Sequence, residues 1–97
     1  MVIIDLKDGK YHCSFYGRLD TEDCSKWENS LYGQVLPAKC PIVFDVQNVA
    51  YVGSIFLRIC IHVLNEAGSE QFSIINASPF VKQVFQIAGF NKHASIT

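Results

Sequence analysis

The stretch DVQNVAYVGSIFLRICIHVL, Asp45 to Leu64, decides how this chain is to be read. It leaves an apolar, strand-like run, passes Gly53 and Ser54, and enters an apolar run with helical spacing. With Ser54 to Ala67 set at about 100° per residue, Arg58, His62, Asn65 and Glu66 share one arc, the expected solvent face. Phe56, Ile59, Cys60, Val63, Leu64 and Ala67 fall largely opposite and are the expected core face. Ile55 lands on the polar arc near the helix start, so an apolar residue is expected at the surface there. Ser54 stands where the helix begins. Serine is among the best N-cap residues, so its position reads as a cap before it reads as a site.

Upstream of this stretch, PIVFDV (Pro41 to Val46) is an almost unbroken apolar run, which predicts a central strand with both faces covered. Val2 to Leu6 reads as a strand, Asp8-Gly9 as a hairpin turn, and Tyr11, Cys13 and Phe15 as the buried face of a second strand that Gly17 ends. Asp20-Thr21 is suited to capping a helix whose buried stripe is Cys24, Trp27, Leu31 and Val35, with Gly33 ending or fraying its last turn. Downstream, Gly68 stops the second helix and Phe72 to Ile75 forms another strand. Ser78-Pro79 starts a third helix with Val81, Val84, Phe85 and Ala88 inward, and Gly89 closes it. His93 to Thr97 reads as a short last strand. The sum is an α/β fold: residues 1–97 as one domain, a mixed four- to five-stranded sheet with three helices packed on it, the later strands joined by right-handed crossovers.

Composition narrows the function. Ninety-seven residues, 49% of them apolar, suffice to close one core without disulfides or metal. The net charge of −1 and the scattered lysines and arginines give no basic stripe, which argues against nucleic acid as a partner. No apolar run approaches the roughly 20 residues of a membrane helix, and the N-terminus reads as a strand and not a signal peptide. A cytoplasmic protein without direct membrane insertion is expected. Cys13, Cys24, Cys40 and Cys60 form no CxxC pair and have no histidine at ligand spacing, so buried thiols are expected and no metal or cofactor.

Catalysis finds no support in the pattern. Ser54 and His62 lie eight residues apart on one helix, a rise of about 12 Å, too far for a nucleophile and its base. Asp45 and Ser54 are placed at neighbouring loop ends, but no third group with a catalytic role joins them. Neither a phosphate loop of the GxxxxGK[ST] type nor GxGxxG nor HExxH occurs, and His12 and His93 are isolated. No enzyme activity is expected.

Three stretches taken together resemble the STAS domain of bacterial anti-sigma-factor antagonists. FYGRLDTED (Phe15 to Asp23) is similar to a strand ending in G-x-L-D before the first helix. IVFDVQNVAYVGSIFLRIC is similar to a strand ending in Asp, a short loop, and D-S-S-G-L-x-x-L. FSIINASPFVKQVFQIAGF (Phe72 to Phe90) is similar to the closing strand, the N-x-S-P-x-V turn and a helix ending in A-G-[LF]. The resemblance implies a protein-interaction module whose partner is an anti-sigma factor or serine-kinase-type regulator. The kinase modifies a serine at the start of the second helix, and the added charge breaks the complex. Aligned on Leu57, the signature falls on Gly53 to Leu57: Ser54 takes the first serine, and Ile55 takes the second, the usual phosphoacceptor. Gly53 replaces the Asp and Phe56 the Gly. Ser54 is then the remaining phosphorylation candidate, and Asp45, Asn48, Gly53, Ser54, Ile55, Arg58 and His62 are the candidate partner-binding residues. Two further readings accompany this one. The chain is alternatively a phosphorylation-independent STAS subunit of a lipid-transport ATPase complex, or a STAS domain that binds a nucleotide or small ligand.

Overall fold

The computed structural model describes residues 1–97, with the side chain of Asn91 excepted. It opens with an antiparallel hairpin, β1 (Val2–Lys7) and β2 (Lys10–Leu19). The two turn residues, Asp8 at φ 53° and Gly9 at φ 76°, both adopt the left-handed conformation that a two-residue turn requires if the strands are to keep their twist. β2 does not end at Gly17. It continues to Leu19, and Gly17, at φ 82°, bends the strand beside a register shift against the next strand.

The first helix, α1 (Thr21–Val35), starts where Asp20 Oδ1 accepts the Asp23 backbone N–H at 3.0 Å. Contrary to expectation it runs through Gly33. Leu31 and Val35 are fully buried on either side of that glycine, and their packing outweighs the roughly 1 kcal/mol that glycine costs in a helix. The third strand, β3 (Ile42–Val52), is longer than the apolar run predicts. Its outer half, where polar residues interrupt the pattern, is held by the β2 ladder from Tyr16↔Asn48 to Leu19↔Val52.

The chain then forms α2 (Ser54–Ala67), β4 (Phe72–Ile75), α3 (Pro79–Ile87), a 3₁₀ turn at Phe90–Lys92 and β5 (Ser95–Ile96). Ser78 caps α3 by accepting the Val81 N–H, with Pro79 in the first turn. The five strands lie in the order β1-β2-β3-β4-β5, and every pair except β1-β2 is parallel. The mixed sheet and three helices match the expected α/β fold.

β3 is central, between β2 and β4, but only one of its faces is sealed. Phe15, Phe44 and Phe72 on that face are buried and meet all three helices through a chain of aromatic contacts. Phe15 touches Trp27 of α1 at a ring separation of 5.3 Å and Phe56 of α2 at 5.0 Å, and Phe56 reaches Phe85 of α3 at 6.4 Å. On the opposite face His12, Ser14, Tyr16, Val43, Asp45, Ser73 and Ile75 are only half-buried. The expectation that both faces are covered is thus corrected. Phe44 is core and Val43 is not, because all three helices stack on the phenylalanine side.

All four cysteines are free. Cys13, Cys24 and Cys60 are fully buried, and burial pushes the Cys13 and Cys24 thiols up to about 12 and that of Cys60 well above its ordinary value. Cys40 is half-buried. Among the described residues no group of histidines, cysteines and carboxylates could hold a metal ion, and no helix is long and apolar enough to cross a membrane.

Candidate docking surface at the start of α2

The β3–α2 junction is one residue long. Gly53, with extended backbone at φ −87°, ψ 169°, is the N-cap of α2, and it donates its N–H to Leu19 O at 3.0 Å. This bond ties the helix start to the β2–α1 junction. A Cβ at Gly53 would lie 3.1 Å from Leu19 O and 3.5 Å from Asp20 Cα, so the close approach of the two chain segments favours glycine here. Phe56 and Leu57 direct their N–H groups to Gly53 O. No side chain caps the helix.

Ser54 is therefore not the cap. It is the first helical residue, exposed, and among the described residues its hydroxyl enters no hydrogen bond. The shift of one position follows from the strand's length: β3 runs to Val52 and leaves Gly53 as the turning residue. Ile55 is also corrected. It is half-buried and packs against the core, because the Gly53–Leu19 tie gives the first turn neighbours that an isolated helix wheel omits.

Arg58 and His62 lie on the exposed side of α2, as the wheel predicts, but both are engaged with α1. Arg58 Nη2 donates to both carboxylate oxygens of Glu28, at 2.9 and 3.0 Å, and the Tyr32 hydroxyl donates to the same carboxylate at 2.8 Å. The His62 ring packs against Tyr32, with centroids 4.4 Å apart and planes tilted by 50°. Burial first, and then the Glu28 carboxylate, push the Tyr32 hydroxyl above its usual range. A clamp between the two helices thus flanks the Ser54 end of the surface.

Ile61 escaped the sequence reading. It is 47% exposed and belongs to the solvent arc of α2 by the same helical count that places Arg58 there. With Leu64 and Asn65 it lines one side of an open groove of about 780 Å³, whose other side is Ala88, Gly89 and Phe90, with Lys92 and His93 at one end.

Asp45 and Asn48 lie apart from this surface. Asp45 is mid-strand on the open sheet face, seven residues of β3 before Val52, a run of roughly 20 Å at strand rise. Asp45 and Ser54 are thus not at neighbouring loop ends, since the expected loop is strand. Asp45 is instead the hub of a polar cluster: Oδ1 accepts from the Gln47 N–H at 3.1 Å and Asn76 Nδ2 at 3.2 Å, and Oδ2 lies 3.2 Å from His12 Nε2. Desolvation works to raise its pKa, but the hydrogen bonds from Gln47, Asn76 and His12 prevail and hold the carboxyl below its ordinary 3.8. A carboxyl depressed on folding contributes stability that is present above 3.8 and is lost as pH falls through the folded value. Asp45→Asn is accordingly expected to lower the melting temperature at pH 7, and the gap from the parent chain should close below about pH 4. Melts from pH 7 to pH 3 check this; a gap that stays constant with pH would show that the carboxylate's charge is not what holds the cluster.

No family model matches the chain, and no curated protein matches it in sequence. Solved structures do. An anti-sigma factor antagonist from Mycobacterium paratuberculosis superposes with a TM-score of 0.87 at 22% identity, covering 99% of this chain and 83% of that one. An anti-sigma-factor antagonist (STAS) domain protein from Planctomyces limnophilus gives 0.82 at 16% identity, covering 99% and 87%. The chain has the STAS fold. The phosphorylated form of the Bacillus cell fate determinant SpoIIAA gives 0.70 at 14% identity, covering 100% and 91%. These likenesses extend over the whole STAS fold, α2 and its neighbours included.

Proposed function

We propose that this STAS-fold chain is a regulatory protein-interaction module and not an enzyme. In this reading it binds an anti-sigma factor or serine-kinase-type regulator through the start and exposed side of α2. The observation that carries the reading is the helix start itself: Ser54 is exposed on an N-terminus that no side chain caps, and the next position, Ile55, offers no hydroxyl. Three solved structures with this fold bear the antagonist or phosphorylated-determinant description. Ser54, Ile55, Arg58 and His62 form the docking surface, with Ile61 added by its exposure, and buried Gly53 fixes the backbone where it begins. Asp45 acts from the strand side, through its hydrogen bonds to His12, Gln47 and Asn76, while Asn48 is exposed farther along β3. Because Ile55 stands at the acceptor position, the complex is not dissolved by the usual modification.

The test pairs each serine-kinase-type anti-sigma factor encoded in the source genome with this chain in titration calorimetry. Ser54→Tyr adds bulk at an exposed first-turn position at little helical cost, so the melting temperature should hold. Binding should weaken by about tenfold or more, or roughly 1.4 kcal/mol. Normal binding by a folded Ser54→Tyr would remove the surface from the interface. Intact-mass measurement after incubation with the partner and ATP is expected to show an unmodified chain, or slow addition at Ser54. Rapid stoichiometric phosphate addition that Ser54→Ala abolishes would restore the ordinary switch.

The hydrocarbon at Ile55 also favours a second reading, a phosphorylation-independent subunit of a lipid-transport ATPase complex. In that case the same titrations find no binding to the kinases and do find it with the ATPase subunit.

A further inference from the structure

We propose that two copies of this chain join through their β1 edges, in antiparallel register about a two-fold axis at Ile4, so that the two sheets become one. Three observations lead there.

The first is the direction of the backbone groups. Met1 and Tyr16 exchange hydrogen bonds across the hairpin, Tyr16 N–H to Met1 O at 2.9 Å and Met1 N to Tyr16 O at 3.3 Å. Bonded pairs alternate along an antiparallel ladder. Ile3, Asp5 and Lys7 therefore turn their N–H and C=O groups toward β2, while Val2, Ile4 and Leu6 turn theirs outward. β1 is the end strand of the sheet, with β2 as its one neighbour. An uncovered edge of this kind is a template for another strand.

The second is that the edge carries an exposed apolar residue on each face, beside Asp5 and Lys7 on the open one. Ile3 is 44% exposed on the open sheet face, and Leu6 is 62% exposed on the helix-bearing face. Edge strands that avoid pairing commonly carry inward charges, prolines or bulges. β1 has no proline, and the β1–β2 register is unbroken from Val2↔Phe15 to Lys7↔Lys10.

The third is self-complementarity, which selects both the occupant and the register. A two-fold axis normal to the sheet pairs residues of like parity, so the axis passes through a residue. Centred on Asp5, it sets two carboxylates directly opposite each other. Centred on Leu6, it runs Ile4 against Asp8, which is held left-handed in the turn, and shortens the ladder. Centred on Ile4, it uses the whole strand: Val2 faces Leu6 twice, Ile4 faces its own copy, and on the open face Ile3 faces Asp5 and Met1 faces Lys7. The outward groups of Val2, Ile4 and Leu6 then all find partners, and on the open face the two Ile3 side chains meet diagonally. The same patch serves both subunits, as a closed two-fold contact requires.

Sedimentation equilibrium over a range of concentrations tests the association. The native chain should shift from monomer to dimer, and Leu6→Lys should remain monomeric with an unchanged melting temperature, since Leu6 is mostly exposed. If Leu6→Lys melts early, Leu6→Thr, which suits a strand, is measured in its place. A native chain that stays monomeric up to about 1 mM, where an association free energy of roughly 4 kcal/mol would already show, overturns the proposal. So does a folded Leu6 variant that dimerises like the parent. Register is read by cysteines placed on β1 in a Cys13→Ala/Cys40→Ser background, which removes the cross-strand neighbour of Ile4 and the half-buried thiol, under diamide, which accepts the two thiol hydrogens as the disulfide forms. Ile4→Cys should cross-link, its Cα atoms about 5.5 Å apart across the axis, within disulfide reach. Leu6→Cys should cross-link at least tenfold more slowly. The reverse order would overturn the Ile4 axis.

Discussion

Phe56→Ala is expected to lower stability by about 3–5 kcal/mol, a large part of the total for a chain of this size. Phe56 is fully buried where the three layers of aromatic contact converge, 5.0 Å from Phe15, 6.0 Å from Phe44 and 6.4 Å from Phe85. Its ring is the only one in that set that reaches the sheet on one side and α3 on the other, so truncation loosens both contacts. At about 4–8 °C per kcal/mol, the melting temperature should fall by roughly 15 °C or more. Urea titration gives the free energy directly. Phe56→Leu, which keeps most of the volume, should lose far less. A loss below about 1 kcal/mol in Phe56→Ala would mean that the rings around it close over the space and that the core is not organised about this residue.

Gly53→Val, at the buried residue that begins the docking helix, should cost roughly 1–3 kcal/mol. The added Cβ meets Leu19 O at 3.1 Å and Tyr51 Cε2 at 3.4 Å, and the carbonyl cannot swing aside because it accepts the Gly53 N–H. Something must separate, and the weaker part is the tie between the start of α2 and the end of β2. Gly53→Ala should show a smaller loss of the same kind. Gly53→Asp supplies an N-cap oxygen worth about 1 kcal/mol but meets the same carbonyl, so it should fall between the parent and Gly53→Val. Hydrogen exchange at the Gly53 and Phe56 amides should speed up in parallel with the loss. A Gly53→Val chain that melts like the parent would show that the two segments stand farther apart than 3.1 Å from Cβ to carbonyl implies.

Legibility in the sequence followed the range of the forces involved. Local signals held. The Asp8-Gly9 turn, the Asp20 cap and the Ser78-Pro79 start of α3 depend on residues within a few positions of one another, and each stands where its chemistry places it. Features set by distant partners were misread. β3 outlasts its apolar run because β2, far away in sequence, continues to pair with it. That extension moved the cap from Ser54 to Gly53 and carried Asp45 away from the helix start. Gly33 stays helical because Leu31 and Val35 are docked. At the candidate surface, the exposed positions of Arg58 and His62 were legible from helical periodicity. Their engagement by Glu28 and Tyr32 was not, since it joins two helices thirty residues apart. The exposure of Ile61 follows from the same count, but an apolar residue within an apolar run carries no polar signal of a solvent face.

The sealed thiols have a use as reporters. Cys13, Cys24 and Cys60 sit on β2, α1 and α2, each fully buried and held protonated at neutral pH, while Cys40 alone is partly open to solvent. A thiol reagent therefore has one ready target in the folded chain, and it reaches the other three only when the segment around each opens. The time course of alkylation, followed by mass, then resolves how the molecule comes apart. If the three slow thiols react together, β2, α1 and α2 open as a single cooperative unit. If Cys24 runs ahead of Cys13, α1 lifts away while the sheet stays whole.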